Sequence, residues 1–198
     1  MLPGAECLVE AERVMGTVLD GVRPDQWRTR IPPLPDSPDP TRPTALDALV
    51  RHHIARTAAL VDLLAGREHL AGDVLPPHRE ELPALARQVS EKACAAVAGV
   101  EDEDAPVGPD RIPAGAFLWR EAVGRALLAH EVSIHRGSVN PLTEGLARAL
   151  YDHVTPDLAR WQETGVFGQP VEPVPADVSW RDRFVMVAGH DPHPLWDR

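Results

Sequence analysis

The sequence predicts an all-α protein, a bundle of helices with a short C-terminal extension. Three observations carry that expectation. Apolar residues recur at helical spacing over stretches of roughly 15 to 24 residues. Strict strand alternation is absent, with the exception of the arm between Val166 and Val174. Proline punctuates the chain between the periodic stretches instead of interrupting them.

The elements follow in order. A first helix covers about Ala5 to Leu19, with Leu8, Val9, Met15, Val18 and Leu19 apolar. The stretch holding Pro32, Pro33, Pro35, Pro38, Pro40 and Pro43 cannot be helical. A second helix follows Thr44, a suitable N-cap, and runs to about Leu64 along a stripe of Leu46, Leu49, Val50, Ile54, Leu60, Val61 and Leu64. After a gap, a third runs from Glu81 to Ala98, with Pro83 tolerated in its first turn. A break from Gly99 to Pro113 carries the acidic run Glu101 to Asp104. The fourth helix opens near Pro113 and ends near Gly137. The fifth covers about Thr143 to Trp161 with a bend at Pro156, and a short sixth spans Trp180 to Ala188. Residues 1–165 therefore form the helical bundle. Residues 166–198 form a C-terminal arm and short helix packing on it.

Composition narrows the function. The 198 residues are 43% hydrophobic, enough for one domain with a core. A net charge of −10 disfavours nucleic acid, whose affinity rests on neutralising phosphates, and disfavours an anionic membrane surface. No apolar run is long enough to span a bilayer, and the first residues lack a basic secretory pattern. Cys7 and Cys94 cannot build a disulfide framework, so a cytoplasmic protein is expected, with both cysteines as packing residues. Arginine supplies every basic residue but Lys92, which together with abundant Ala and Pro reads as the usage of a high-GC bacterium. There is no GxSxG, no Walker pattern and no internal repeat.

Two segments could carry chemistry. In the fourth helix, Glu131 and His135 lie four apart, on one face. At roughly 100° per residue, Phe117, Gly124, Leu128, Glu131 and His135 fall within about 40° of one another. A carboxylate continuing an apolar stripe is costly unless it is paired or bound to metal. A hydrogen-bonded Glu–His pair capping the core would give the same pattern. In the second helix, His53 points along the centre of the stripe and His52 lies at its edge. Either histidine alone reads equally as an interhelical contact. One of them joined to Glu131 and His135 would make a His2Glu site with open positions, which suits zinc or another divalent metal. By the same phase, His130 points away from Glu131 and is expected at the surface. Trp119 and Trp161 are expected in the core or at its rim.

Four stretches give the chain a family likeness. They are Asp20-Gly21-Val22-Arg23-Pro24-Asp25-Gln26-Trp27, Leu49-Val50-Arg51-His52, His130-Glu131-Val132-Ser133-Ile134-His135-Arg136, and the tail. The tail runs from Phe167-Gly168-Gln169-Pro170-Val171 through Asp182-Arg183-Phe184 to Gly189-His190-Asp191-Pro192. In order and spacing they resemble the DinB-like superfamily and, within it, the actinobacterial mycothiol-dependent maleylpyruvate isomerases. The resemblance implies a DinB-like four-helix bundle holding a divalent metal, usually zinc, on His52, Glu131 and His135. It also implies mycothiol, a small thiol that a metal could hold as thiolate. Two positions depart from the family. Ser138 stands where the family usually has Asp, and the family's tryptophan before the second helix is replaced by the proline-rich run.

The expected activity is that of a metal-dependent enzyme using a low-molecular-weight thiol on a small molecule, as an S-transferase or a thiol-assisted cis–trans isomerase. In a thiol-independent hydrolase or lyase, the histidine of the His52/His53 pair that is not a ligand becomes the acid–base group. His53 is thus the catalytic candidate. Arg183, in the tail, could anchor an anionic substrate, although a solvated charge on a short helix reads equally well there. A non-catalytic metal-binding bundle is the third possibility. A homodimer is compatible with this class of bundle.

Overall fold

The structure is a computed structural model, which describes residues 1–31, 44–67, 78–163, 165 and 167–193. The proline-rich run from Pro32 to Pro43 lies outside the described residues, as does Val166 in the arm. The protein is mostly helical, and β structure among the described residues is one two-stranded hairpin and an isolated bridge.

Helix α1 spans Pro3–Asp20, α2 Leu46–Leu64, α3 Leu82–Ala98 and α4 Ala114–His135. Each lies within a few residues of its expected bounds. Helix α2 starts one residue late for the expected cap. Its N-cap is Ala45, with no side-chain capping bond. Thr44 is used instead by the backbone, whose carbonyl accepts from the Ile31 N–H at 2.6 Å while Arg30 bridges Ala45. This pairing ties the start of α2 to the single 3-10 turn Pro24–Arg28 that follows α1.

Side-chain links fix how the four long helices run. Helices α1 and α4 are parallel and closely packed. Gly4 lies against Trp119 at their beginnings, and at their ends Arg136 donates to the carbonyls of Val18 and Gly21. Ala5, Ala11, Ala122, Ala126 and Ala129 are wholly buried, and such small residues let two helix backbones approach closely. Helices α2 and α3 run the other way. Arg79, just before α3, pairs with Asp47 at the start of α2, and Arg87 pairs with Asp20 at the end of α1. Helix α3 packs on both α1 and α2.

The break before α4 is more structured than expected. Strands β1 (Pro106–Val107) and β2 (Ile112–Pro113) pair antiparallel around a turn with positive φ at Gly108 and Arg111. Their backbone leads into α4, whose first N–H groups donate to Ala105 and Glu103 carbonyls.

Past α4, the expected single helix across Pro156 is three consecutive helical segments. Helix α5 (Glu144–Val154) ends in a 3-10 turn, Thr155–Asp157, and α6 (Leu158–Glu163) continues from it. Thr143 caps α5 through its hydroxyl, which accepts from Leu146 N–H. The arm forms no strand among its described residues. Gly168 and Val171 instead donate to the carbonyls of Ala188 and Met186. Those acceptors lie in and just after α7 (Trp180–Val187), which packs on α5 and buries Phe184, Val185 and Met186.

Candidate functional site

The strip of α4 that carries Glu131 is not the one facing the centre of the protein. Helix α4 is buried on most of its circumference; Ala116 and Arg120 are exposed, and Gly115, Trp119, Gly124, Leu128 and His135 are half-buried. A side chain added at Gly124 would meet no atom within 4 Å. The strip expected to line the core therefore opens toward a seam. Opposite it, α2 does not pack closely on α4. What spans the gap is a side chain, Arg56 of α2, whose Nη2 lies 2.8 Å from Glu121 Oε1 of α4. His52, on the same helix, is exposed.

Glu131 sits at the deep end of this strip with 7% of its surface exposed. His190 from the tail faces it, Nδ1 to Oε1 at 3.6 Å. His130 is buried as well, at 2% exposure, contrary to the surface position expected for it. The tail accounts for the difference. His190 stands edge-on to the His130 ring, centroids 5.8 Å apart, with Asn140 and the Asp191 backbone close by. Burial, reinforced by His190, pushes His130 down to about 4, so it is neutral at ordinary pH. Asn140 in turn reaches Asp182 of α7 at 3.3 Å. The C-terminal extension thus completes the surroundings of Glu131, with groups remote in sequence.

His53 occupies a different place, in the middle of the protein at 3% exposure. Its Nε2 lies 3.7 Å from Glu12 Oε2 of α1. Glu12 accepts from Arg125 Nε at 2.7 Å, and the other side of Arg125 lies 3.0 Å from Glu121. Glu121 then meets Arg56 in the seam. Four charges and one imidazole make a continuous chain from the interior to the α2/α4 opening. Burial is the largest influence on His53 and pushes it down to about 4 despite Glu12. Burial alone would raise Glu12, but the charge of Arg125 and its hydrogen bond, with Ser90, hold the carboxyl below its usual range. Glu12 is therefore ionised and His53 neutral.

Of the residues singled out from sequence, Glu131 and His135 share a turn of α4. His52 lies on the open side of α2 and His53 on its closed side. Among the described residues, no group of three or more His, Cys, Asp and Glu side chains is arranged to hold a metal ion. Arg183 is engaged in tying down the arm, where it donates to the Ala176 carbonyl at 2.9 Å and lies over the Trp180 ring. Trp119 and Trp161 are partly buried at the core's edge, as expected, where Trp119 stacks on the His153 ring and Trp161 meets that ring edge-on.

Sequence reasoning missed Glu12, Glu121, Arg125 and His190. Glu121 and Arg125 did carry a signal, an i,i+4 pair in an otherwise apolar helix. Glu12 carried none, and His190 stood out only as part of the tail that carries the family likeness. No protein-family model matches the chain, nor does any curated protein or solved structure.

Proposed function

We propose that the chain is a DinB-like four-helix bundle, α1 to α4, that works as an enzyme of the mycothiol-dependent maleylpyruvate isomerase kind. Its substrate is a small molecule, and a low-molecular-weight thiol is the co-reactant. The observation that carries the reading is the position of Glu131. A carboxylate at 7% exposure, one turn before His135, stands on the strip of α4 that holds half-buried Gly124 and Leu128 and beside a seam that α2 leaves open. A buried carboxylate is costly unless a cation or hydrogen bonds compensate, and His190 stands 3.6 Å from this one.

The resemblance assigns a divalent metal, zinc foremost, to His52, Glu131 and His135. Such a metal would supply a thiolate from a bound thiol and polarise a carbonyl. The chain's own residues have definite roles in the reading. His190 orients Glu131, α7 and Asn140 hold His190 and His130 in place, and Arg56 offers a half-exposed guanidinium in the seam for an anionic substrate. The reading includes a cytoplasmic setting and a homodimer, which light scattering would test. Among the described residues, no helix is long and apolar enough to cross a membrane.

The deciding experiment is metal content by mass spectrometry on untagged protein, for the wild type, Glu131→Ala and His135→Ala. About one divalent ion per chain, lost in both variants, supports the reading. A metal-free wild type that takes up no added zinc overturns it. His52→Ala and His53→Ala then separate the two histidines, since only the ligand's loss empties the site.

A further inference from the structure

On the side of the protein away from the α2/α4 seam lies a cavity of about 480 Å³, between α1, α2 and α3. That is the size of a small-ligand site. Glu12 and His53 form its floor, at 2% and 3% exposure. Each has a buried polar atom with no hydrogen-bond partner, Glu12 Oε2 and His53 Nδ1, and so does Arg125, the ion-pair partner of Glu12, at Nη2. Buried polar atoms are nearly always satisfied, and two orphans on one cavity floor mark a place for a polar group that is not part of the protein.

The character of the floor decides the ligand's head. Glu12 is held ionised by the Arg125 guanidinium, so it is an acceptor with a full charge behind it. A carboxylate only accepts, and it seeks a donor. The Cys94 thiol beside it is kept protonated by burial and by Glu12, so it adds no charge. Val9, Met15, Leu19 and Ala86 supply apolar walls. At the mouth, Asp20 and Arg87 neutralise each other as an ion pair, and Arg13 and Glu91 add one charge of each sign. An acid floor, greasy walls and a neutral mouth suit a cation on a short apolar stem.

We propose that this cavity is a second binding site, separate from the Glu131 region, which takes a small primary ammonium ligand with its head on Glu12 Oε2 and its stem along α1 and α3.

The test uses butylammonium as probe, with butanol and butyrate as the neutral and anionic counterparts. Binding is followed by calorimetry and by protection of Cys94 from iodoacetamide, read by peptide mapping. Two variants accompany the wild type. Gly16→Leu fills the cavity from α1, where a new side chain meets no atom within 4 Å, and it leaves the Glu12–Arg125 pair intact. Glu12→Gln removes the charge on the floor. The proposal expects saturable butylammonium binding that shields Cys94. Binding is abolished by Gly16→Leu and weakened about tenfold or more by Glu12→Gln, the worth of a charged hydrogen bond. Should Glu12→Gln fail to fold, Gly16→Leu still decides the matter. No saturable binding to the wild type, equal binding to Gly16→Leu, or equal binding of butanol or butyrate would each overturn it.

Discussion

Arg125 Nε lies 2.7 Å from Glu12 Oε1, and both side chains are at least 96% withdrawn from solvent, at 4% and 2% exposure. The pair joins the two parallel helices α1 and α4 at mid-length. Glu121, itself 4% exposed, lies on the far side of the same guanidinium. One buried cation thus serves two buried carboxylates, and Arg56 supplies the second positive charge from the seam.

Removing that cation is expected to be severe. Arg125→Met leaves Glu12 and Glu121 buried without their shared partner, and breaking a buried ion pair on one side costs about 3–5 kcal/mol. Urea denaturation at neutral pH measures it. A loss under 1 kcal/mol would mean that water reaches the carboxylates.

Glu12 also sets a pH dependence. Its carboxyl is held below the ordinary value of 4.5 in the folded state. A depressed carboxylate contributes stability that is present above the unfolded-state value and is lost as pH falls through the folded one. The stability gap between wild type and Glu12→Gln is therefore constant near pH 7 and shrinks below about pH 4.5. A gap that widens on acidification would contradict the assignment.

Cys7 is predicted to be a sluggish thiol. Burial, with Glu6 and Glu10 nearby, raises it to about 11. Since the thiolate is the nucleophile, alkylation of native protein at pH 8 is slow and accelerates as pH approaches 11. Labelling in denaturant is the reference rate. Equal native and denatured rates at pH 8 would show the thiol to be exposed.

The tail hangs on Gly189. Its φ is +87°, and an added Cβ would come within 2.8 Å of the backbone of Gly168 and Gln169. Gly189→Ala combines about 1–2 kcal/mol of left-handed strain with a clash against main chain that cannot step aside. The arm and α7 should loosen, so trypsin cuts sooner at Arg181 and Arg183 while α1 to α4 stay resistant. Unchanged proteolysis would show that the arm is held by other contacts.

The sequence by itself determined the helices. Periodic apolar residues placed α1 through α4 within a few residues, because helix burial follows a local 3.6-residue repeat that can be read along one segment. Proline marked the breaks for an equally local reason, the missing N–H and the fixed φ. Glu131 and His135 were legible as a pair one turn apart. Tertiary structure alone decided which way their strip faces. Helix α4 is buried on nearly all sides, so phase could not tell the centre from the seam, and the strip read as core opens toward α2. It also decided the partners. His130 is buried because a tail sixty residues away in sequence folds over it. Glu12 becomes the floor of a cavity because α2 brings His53 and α4 brings Arg125 to it. Burial and charge pairing between separate helices depend on distances in space, and no spacing along the chain encodes them.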